Sequence, residues 1–188
     1  MITLTQGKIN KQVKAWVNPV DRQTLIYSND VYVNGDLRGS QTETDDTKLK
    51  LMELGDGEFL AIRLSSGGTV FHVFCPANQF LIENGADYTE YSENAKRLLP
   101  ILANGLRNAF DSAIRNGLDT ITVPANFGAQ HFCNMPIEMV VKTVVTTVYN
   151  YCNEKRDRGF HVILSTPSDY DLVLKLSRRY LEMLSSIN

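Results

Sequence analysis

The chain has 188 residues, 43% of them hydrophobic and 21% charged, and a formal net charge of −2. This is the profile of a soluble globular protein of single-domain size, so one domain over residues 1–188 is expected. The balance of charge excludes broad electrostatic attraction to DNA, RNA or anionic lipid, so no nucleic-acid partner is expected.

The N-terminal Ile2-Thr-Leu-Thr-Gln6 alternates apolar and polar residues, as a half-buried edge strand does, and is not a signal peptide. Gly7 to Lys11 reads as a turn. Val13-Lys-Ala-Trp-Val17 reads as a second strand that stops at Asn18-Pro19, because proline offers the ladder no donor. Asp21 to Ser40 lacks periodicity and reads as a long loop, with a short strand at Val31–Val33. Thr44 to Leu54 is assigned a short helix. Glu58 to Leu64 and Thr69 to Cys75 read as strands joined by a hairpin turn at Ser65-Ser-Gly-Gly68. Asn78 to Tyr91 is loop-like. Ser92 is a candidate cap for a helix reaching Asn116, with Leu98, Leu102, Leu106, Ala109, Phe110 and Ala113 at helical spacing. Pro100 inside that pattern implies a later start near Leu98, or a kink. Asn116-Gly117 is the stop.

The central strand is Thr120-Ile-Thr-Val-Pro124. The loop after it, Ala125 to Met135, is rich in small and amide residues. Pro136 is expected at the first position of the next helix, whose buried stripe is Ile137, Val140, Val141, Val144, Val148 and Tyr151. Glu154 to Gly159 is a solvated connector. Phe160 to Ser165 reads as a buried strand. A last helix capped by Ser168 or Asp169 turns Leu172, Leu176, Tyr180, Leu181 and Leu184 inward. Strands first, then helix–strand–helix–strand–helix, implies an α/β fold with a largely parallel sheet. Ligands in such sheets bind at the carboxyl ends of strands, and two loops stand there, after Asn18 and after Pro124. The second loop runs into a helix N-terminus, where backbone N–H groups and the helix dipole favour an anion.

Cys75, Cys133 and Cys152 are widely spaced, and no Cys/His spacing matches a zinc site, so neither a metal nor a cofactor is expected. No apolar run approaches the roughly 18–20 residues that cross a bilayer. A cytoplasmic protein without a membrane partner is the expectation.

The two loops and their flanks resemble those of macro domains, the ADP-ribose-binding modules. That family opens with a strand, a Gly-Asp-Ile turn and a strand ending in Val-Asn-Ala-Ala-Asn. Here Gly7-Lys-Ile9 precedes Ala15-Trp-Val-Asn-Pro-Val-Asp21. A family strand like Val-Ile-His-x-x-Gly-Pro has its counterpart in Val70-Phe-His-Val-Phe-Cys-Pro76. A strand such as Ser-Ile-Ala-Phe-Pro-Ala has its counterpart in Thr120-Ile-Thr-Val-Pro-Ala125. The family's phosphate loop ends in proline at a helix start, as Pro136 does. The resemblance runs from Ile2 to Leu181, in order. It implies a three-layer α/β/α mixed sheet with helices on both faces, and a divergent member. It also implies ADP-ribose or a related NAD-derived nucleotide as ligand. The departures are Lys8 where the family has an adenine-accepting Asp, Asp21 for the last Asn, no Gly-Gly-Gly run, and an altered second loop. A lysine accepts no hydrogen bond, so Lys8 argues against standard adenine recognition.

Carried over by the resemblance, the ligand site comprises Ile9, Asn18, Asp21, Gly35, Gly39, Ala125, Asn126, Phe127, Gly128, Ala129, Gln130, Phe132 and Tyr170. Asn18, Asp21 and His131 are the candidate catalytic residues for hydrolysis of ADP-ribosyl or ADP-ribose 1''-phosphate bonds, if the chain is an enzyme. Each has a plainer reading. Asn18 and Asp21 suit turn caps, and His131 suits an exposed loop. Phe127 and Phe132 suit either a ribose or base face, or a plug onto the core. His72 reads as a satisfied core residue, and His161 as structural. Cys133 has no visible His–acid partner and is assigned no role. The alternative function is a degenerate macro-like module for protein or nucleic-acid interaction without nucleotide hydrolysis, its cleft occluded by Phe127 or Phe132.

Overall fold

The computed structural model describes residues 1–7, 13–20, 49–64, 67–74, 88–127, 135–168 and 171–187. Strands β1 (Ile2–Gln6), β2 (Ala15–Val20), β3 (Phe59–Arg63) and β4 (Thr69–Phe74) come first. Helix α1 (Tyr88–Arg115), strand β5 (Thr120–Pro124), helix α2 (Ile137–Glu154), strand β6 (His161–Thr166) and helix α3 (Asp171–Ile187) follow. The six strands form one mixed sheet in the order β1-β6-β5-β2-β4-β3. Only β3 is antiparallel to its neighbour, through the hairpin with β4. Leu64 N–H donates to the Gly68 carbonyl at 2.7 Å and closes that hairpin.

The main core lies on one face of the sheet. Ala15, Val17, Phe71, Val73, Ile121, Val123, Val162 and Leu164 pack there against α1, α2 and α3. A fully buried side chain of this size contributes about 1.5–3 kcal/mol, so the valine-rich stripe of α2, from Val140 to Val148, anchors the layer. On the opposite face a helical turn at 49–52 sets Leu51 against Val20 and Phe74. The result is the α/β fold with a mixed sheet between layers.

Three expectations need correction. β2 does not stop at Asn18-Pro19: it runs to Val20, and all six of its residues are buried. α1 starts at Tyr88 rather than Ser92, and continues through Pro100, which lies on its exposed side. In α3, Leu172 faces outward at 43% exposure, and Val173 takes the buried place beside Leu176 and Tyr180. The exit of α1 follows expectation: Gly117 has φ +72° and Leu118 N–H returns to the Ala113 carbonyl at 3.0 Å. The strand at Val31–Val33 and the residues 44–48 of the first helix lie outside the described residues.

Candidate functional site

Pro19 ends a ladder without ending the strand. Along a strand, successive backbone groups turn to alternate neighbours. The Lys14 carbonyl accepts the Thr69 N–H at 2.7 Å, so even-numbered residues of β2 face β4 and odd-numbered ones face β5. The Ala125 N–H donates to Ser165 of β6 at 2.8 Å, so even-numbered residues of β5 face β2. β2 and β5 are registered at Trp16↔Thr122. The next step would pair Asn18 with Pro124, with N–H donors from Pro19 and Pro124. Neither residue has one. The Pro124 carbonyl instead accepts the Phe127 N–H at 3.1 Å. The middle of the sheet is therefore unzipped at the carboxyl ends of two adjacent parallel strands. This is where ligands of open α/β sheets bind.

One wall is the turn after β5. Ala125 and Phe127 are fully buried, and Asn126 is half-buried. Phe127 was open to two readings, a ribose-facing ring or a plug. Its ring lies in the main core, so it is a plug, and it is held at φ +43°. What Ala125 and Phe127 offer a ligand is a fixed backbone, since neither side chain reaches the surface. Residues 128–134 lie outside the described residues; at the start of α2, Pro136 occupies the N-cap rather than the first helical position and supplies no side-chain cap. The free N–H groups of a helix start carry partial positive charge. Glu138 in that first turn is held by the Tyr180 hydroxyl, which donates to its Oε1 at 3.0 Å. Burial and that bond together raise the Tyr180 pKa.

The other wall is β2. Asn18 is 7% exposed, and its Nδ2 lies 3.1 Å from Nδ1 of His72, its partner in the β2–β4 register. Both side chains lie on the face away from the three helices. Burial lowers the His72 pKa to about 4, so the ring is neutral at physiological pH. His72 is thus the satisfied core residue the sequence implied, and its partner is a candidate site residue. Nothing local in the sequence signals that pairing, because it depends on a register across 54 residues. The two prolines were equally hidden: each looked like a strand end on its own.

Of the candidate site residues, the structure describes Asn18, Ala125, Asn126 and Phe127, which stand at the carboxyl ends of the adjacent strands β2 and β5. Ile9, Asp21, Gly35, Gly39, Gly128, Ala129, Gln130, His131, Phe132 and Tyr170 lie outside the described residues, as do Lys8 and Cys133. At the other end of the sheet, Arg107 pairs with Glu154, and the Tyr151 hydroxyl donates to Asp111 at 2.6 Å. That cluster ties α1 to α2 far from the seam. Among the described residues no group of three His, Cys, Asp or Glu side chains is placed to hold a metal ion, and no helix is long and apolar enough to cross a membrane.

No protein-family profile matches the sequence, and no curated protein matches it. Solved structures do. The chain is similar to an Oceanobacillus iheyensis macrodomain with ADP, at 15% identity and TM-score 0.66, over 95% of this chain and 87% of that one. A variant of that macrodomain with ADPR gives 16% identity and TM-score 0.67, over 94% and 88%. A poly(ADP-ribose) glycohydrolase from Deinococcus radiodurans, in complex with ADP-ribose, gives 13% and 0.55, over 97% and 85%. At such low identity the likeness speaks for architecture, and with the sheet order and the core it leads to one statement: the chain has the macrodomain fold.

Proposed function

We propose that this chain binds ADP-ribose or a related NAD-derived nucleotide where β2 and β5 part. The observation that carries the reading is the proline-lined seam, which leaves a gap in the hydrogen bonding of the sheet at the carboxyl ends of β2 and β5. Neighbours in fold space whose structures hold ADP, ADPR or ADP-ribose support it. In this reading the pyrophosphate lies on Asn126 to Phe132 and the start of α2, where backbone N–H groups and the helix dipole favour negative charge. The distal ribose lies between that loop and Asn18 to Asp21. Ile9, Gly35, Gly39 and Tyr170 complete the contacts.

Thermal unfolding with ADP-ribose tests this. At one hundred times Kd, a ligand specific for the folded state adds about 2.7 kcal/mol of stability. An upward shift of the midpoint with ADP-ribose, and none with inorganic phosphate alone, is expected. No shift with ADP-ribose, NAD or cyclic relatives overturns the reading and leaves the interaction module. Hydrolysis is a separate question. It would use Asn18, Asp21 or His131 to orient water, and is tested by release of ADP-ribose from an ADP-ribosylated protein, or of phosphate from ADP-ribose 1''-phosphate.

A further inference from the structure

We propose that His72 is a positioning residue: its unprotonated Nδ1 holds Nδ2 of Asn18, and so fixes the Asn18 carbonyl Oδ1 as an acceptor for a ribose hydroxyl at the β2–β5 seam. The inference rests on the nucleotide reading above and deepens it.

The amide of an asparagine has two faces, one donor and one acceptor, and a half-turn about its last bond exchanges them. Whichever face meets His72 determines the face left for a ligand. Nδ2 stands 3.1 Å from Nδ1 of His72. An amide N–H donates, so Nδ1 accepts, and the ring proton sits on Nε2. The opposite tautomer would place a proton on Nδ1, demand Oδ1 as its partner, and turn the NH2 group outward. His72 is 2% exposed and Asn18 7%, so water is poorly placed to compete for that bond. The two residues are register partners on adjacent strands, so the backbone holds their separation. Burial also keeps the ring neutral, and a doubly protonated ring would have no acceptor to offer.

The outward face matters for selection. An outward Oδ1 accepts a bond from a hydroxyl and repels a phosphate oxygen, which has no proton to give. An outward NH2 would welcome both. His72 therefore makes this wall favour a ribose hydroxyl over a phosphate oxygen.

Two measurements test the proposal. The first is the tautomer of His72 in the ligand-free protein, read by long-range proton–nitrogen NMR at neutral pH. A pyridine-like Nδ1 is expected, and a protonated Nδ1 overturns the proposal. The second is a double-mutant cycle on ADP-ribose affinity by calorimetry, using His72→Phe, Asn18→Ala and the pair. His72→Phe is expected to weaken binding about tenfold or more with Asn18 present, and less than about twofold in the Asn18→Ala background. His72→Asn, which keeps an acceptor near the Nδ1 position, is expected to restore affinity to within about threefold of the original. Equal losses in both backgrounds, or no recovery with His72→Asn, show a merely structural role and overturn the proposal. Failure of the unaltered protein to bind ADP-ribose fails the nucleotide reading itself, a different result from binding that ignores His72. The NMR measurement needs no variant, so a misfolded His72→Phe does not protect the idea.

Discussion

Phe127 combines complete burial with a left-handed backbone at φ +43°. Non-glycine residues adopt that region at a cost of about 1–2 kcal/mol. The ring offsets this by filling the core beneath the turn. Phe127→Ala is therefore expected to lower stability by about 3–5 kcal/mol in urea unfolding. Phe127→Gly relieves the backbone but still loses the ring, so it too destabilises. Gly105 presents the reverse case. A glycine inside a helix normally costs about 1 kcal/mol relative to alanine. Here a Cβ would lie 2.9 Å from the Gly57 carbonyl oxygen and 2.9 Å from Val73 Cγ1. Gly105→Ala should therefore destabilise by about 1–3 kcal/mol, the overpacking range, instead of stabilising. A midpoint that rises with alanine would contradict the close approach of α1 to β4. His72 has a pH signature. Its folded pKa, about 4, lies below the ordinary 6.5. Folding thus favours the neutral ring, and that contribution is present above pH 6.5 and is lost as pH falls toward 4. The loss is about 3 kcal/mol across that window. His72→Asn removes it, so the difference in unfolding free energy between the two proteins should shrink by that amount from pH 7 to pH 4, over and above any shared carboxylate titration.

At the scale of the element, the seam between β2 and β5 is the consequential feature. Prolines normally mark edges of sheets. Here Pro19 and Pro124 sit in neighbouring central strands, one register step apart, and both missing donors fall between the same two strands. A donor restored by Pro19→Val would let β2 bond toward β5 and narrow the gap. ADP-ribose affinity is then expected to fall about tenfold, equivalent to about 1.4 kcal/mol. Stability should change by no more than about 1 kcal/mol, because valine suits a buried strand. Unchanged affinity would place the ligand elsewhere. The limits of sequence reading show here too. The hairpin of β3 and β4, the strand β5 and the valine stripe of α2 were legible because alternation, turn residues and helical spacing are local signals. β2 was cut short because a proline's meaning depends on which neighbour it faces. α1 was started late because Ser92 looked like a cap, and the alternative start near Leu98 fails because Pro100 falls on the solvent side, where a lost bond is tolerated. Leu172 was assigned inward by spacing, although Val173 packs better against the core. Of the candidate site, the loop after β5 was singled out by its place after a buried strand, and Ala125 to Phe127 are its described part before Met135. The Asn18–His72 pair was not, since register across the sheet has no local signature.

For the molecule as a whole, the order of elements carried the fold further than any motif did. Identities of 15–16% with the Oceanobacillus iheyensis macrodomain leave few shared residues, yet the folds superpose at TM-scores of 0.66 and 0.67. The physical reason is that burial pattern and handed crossovers constrain topology while tolerating wide substitution in the core.

One edge of the sheet joins its first strand to its last. β1 pairs only with β6 among the described strands, so that Ile2 meets Val162 and Gln6 meets Thr166. On a ribosome β1 is made early and its partner late. At roughly 5–20 residues per second the first strand waits on the order of ten seconds for the last. Through that interval an apolar strand edge stands open in the growing chain, a period in which a holdase or a neighbouring nascent chain competes for it. The polar threonines Thr3 and Thr5, on the face away from the core, keep that waiting strand from being apolar on both sides.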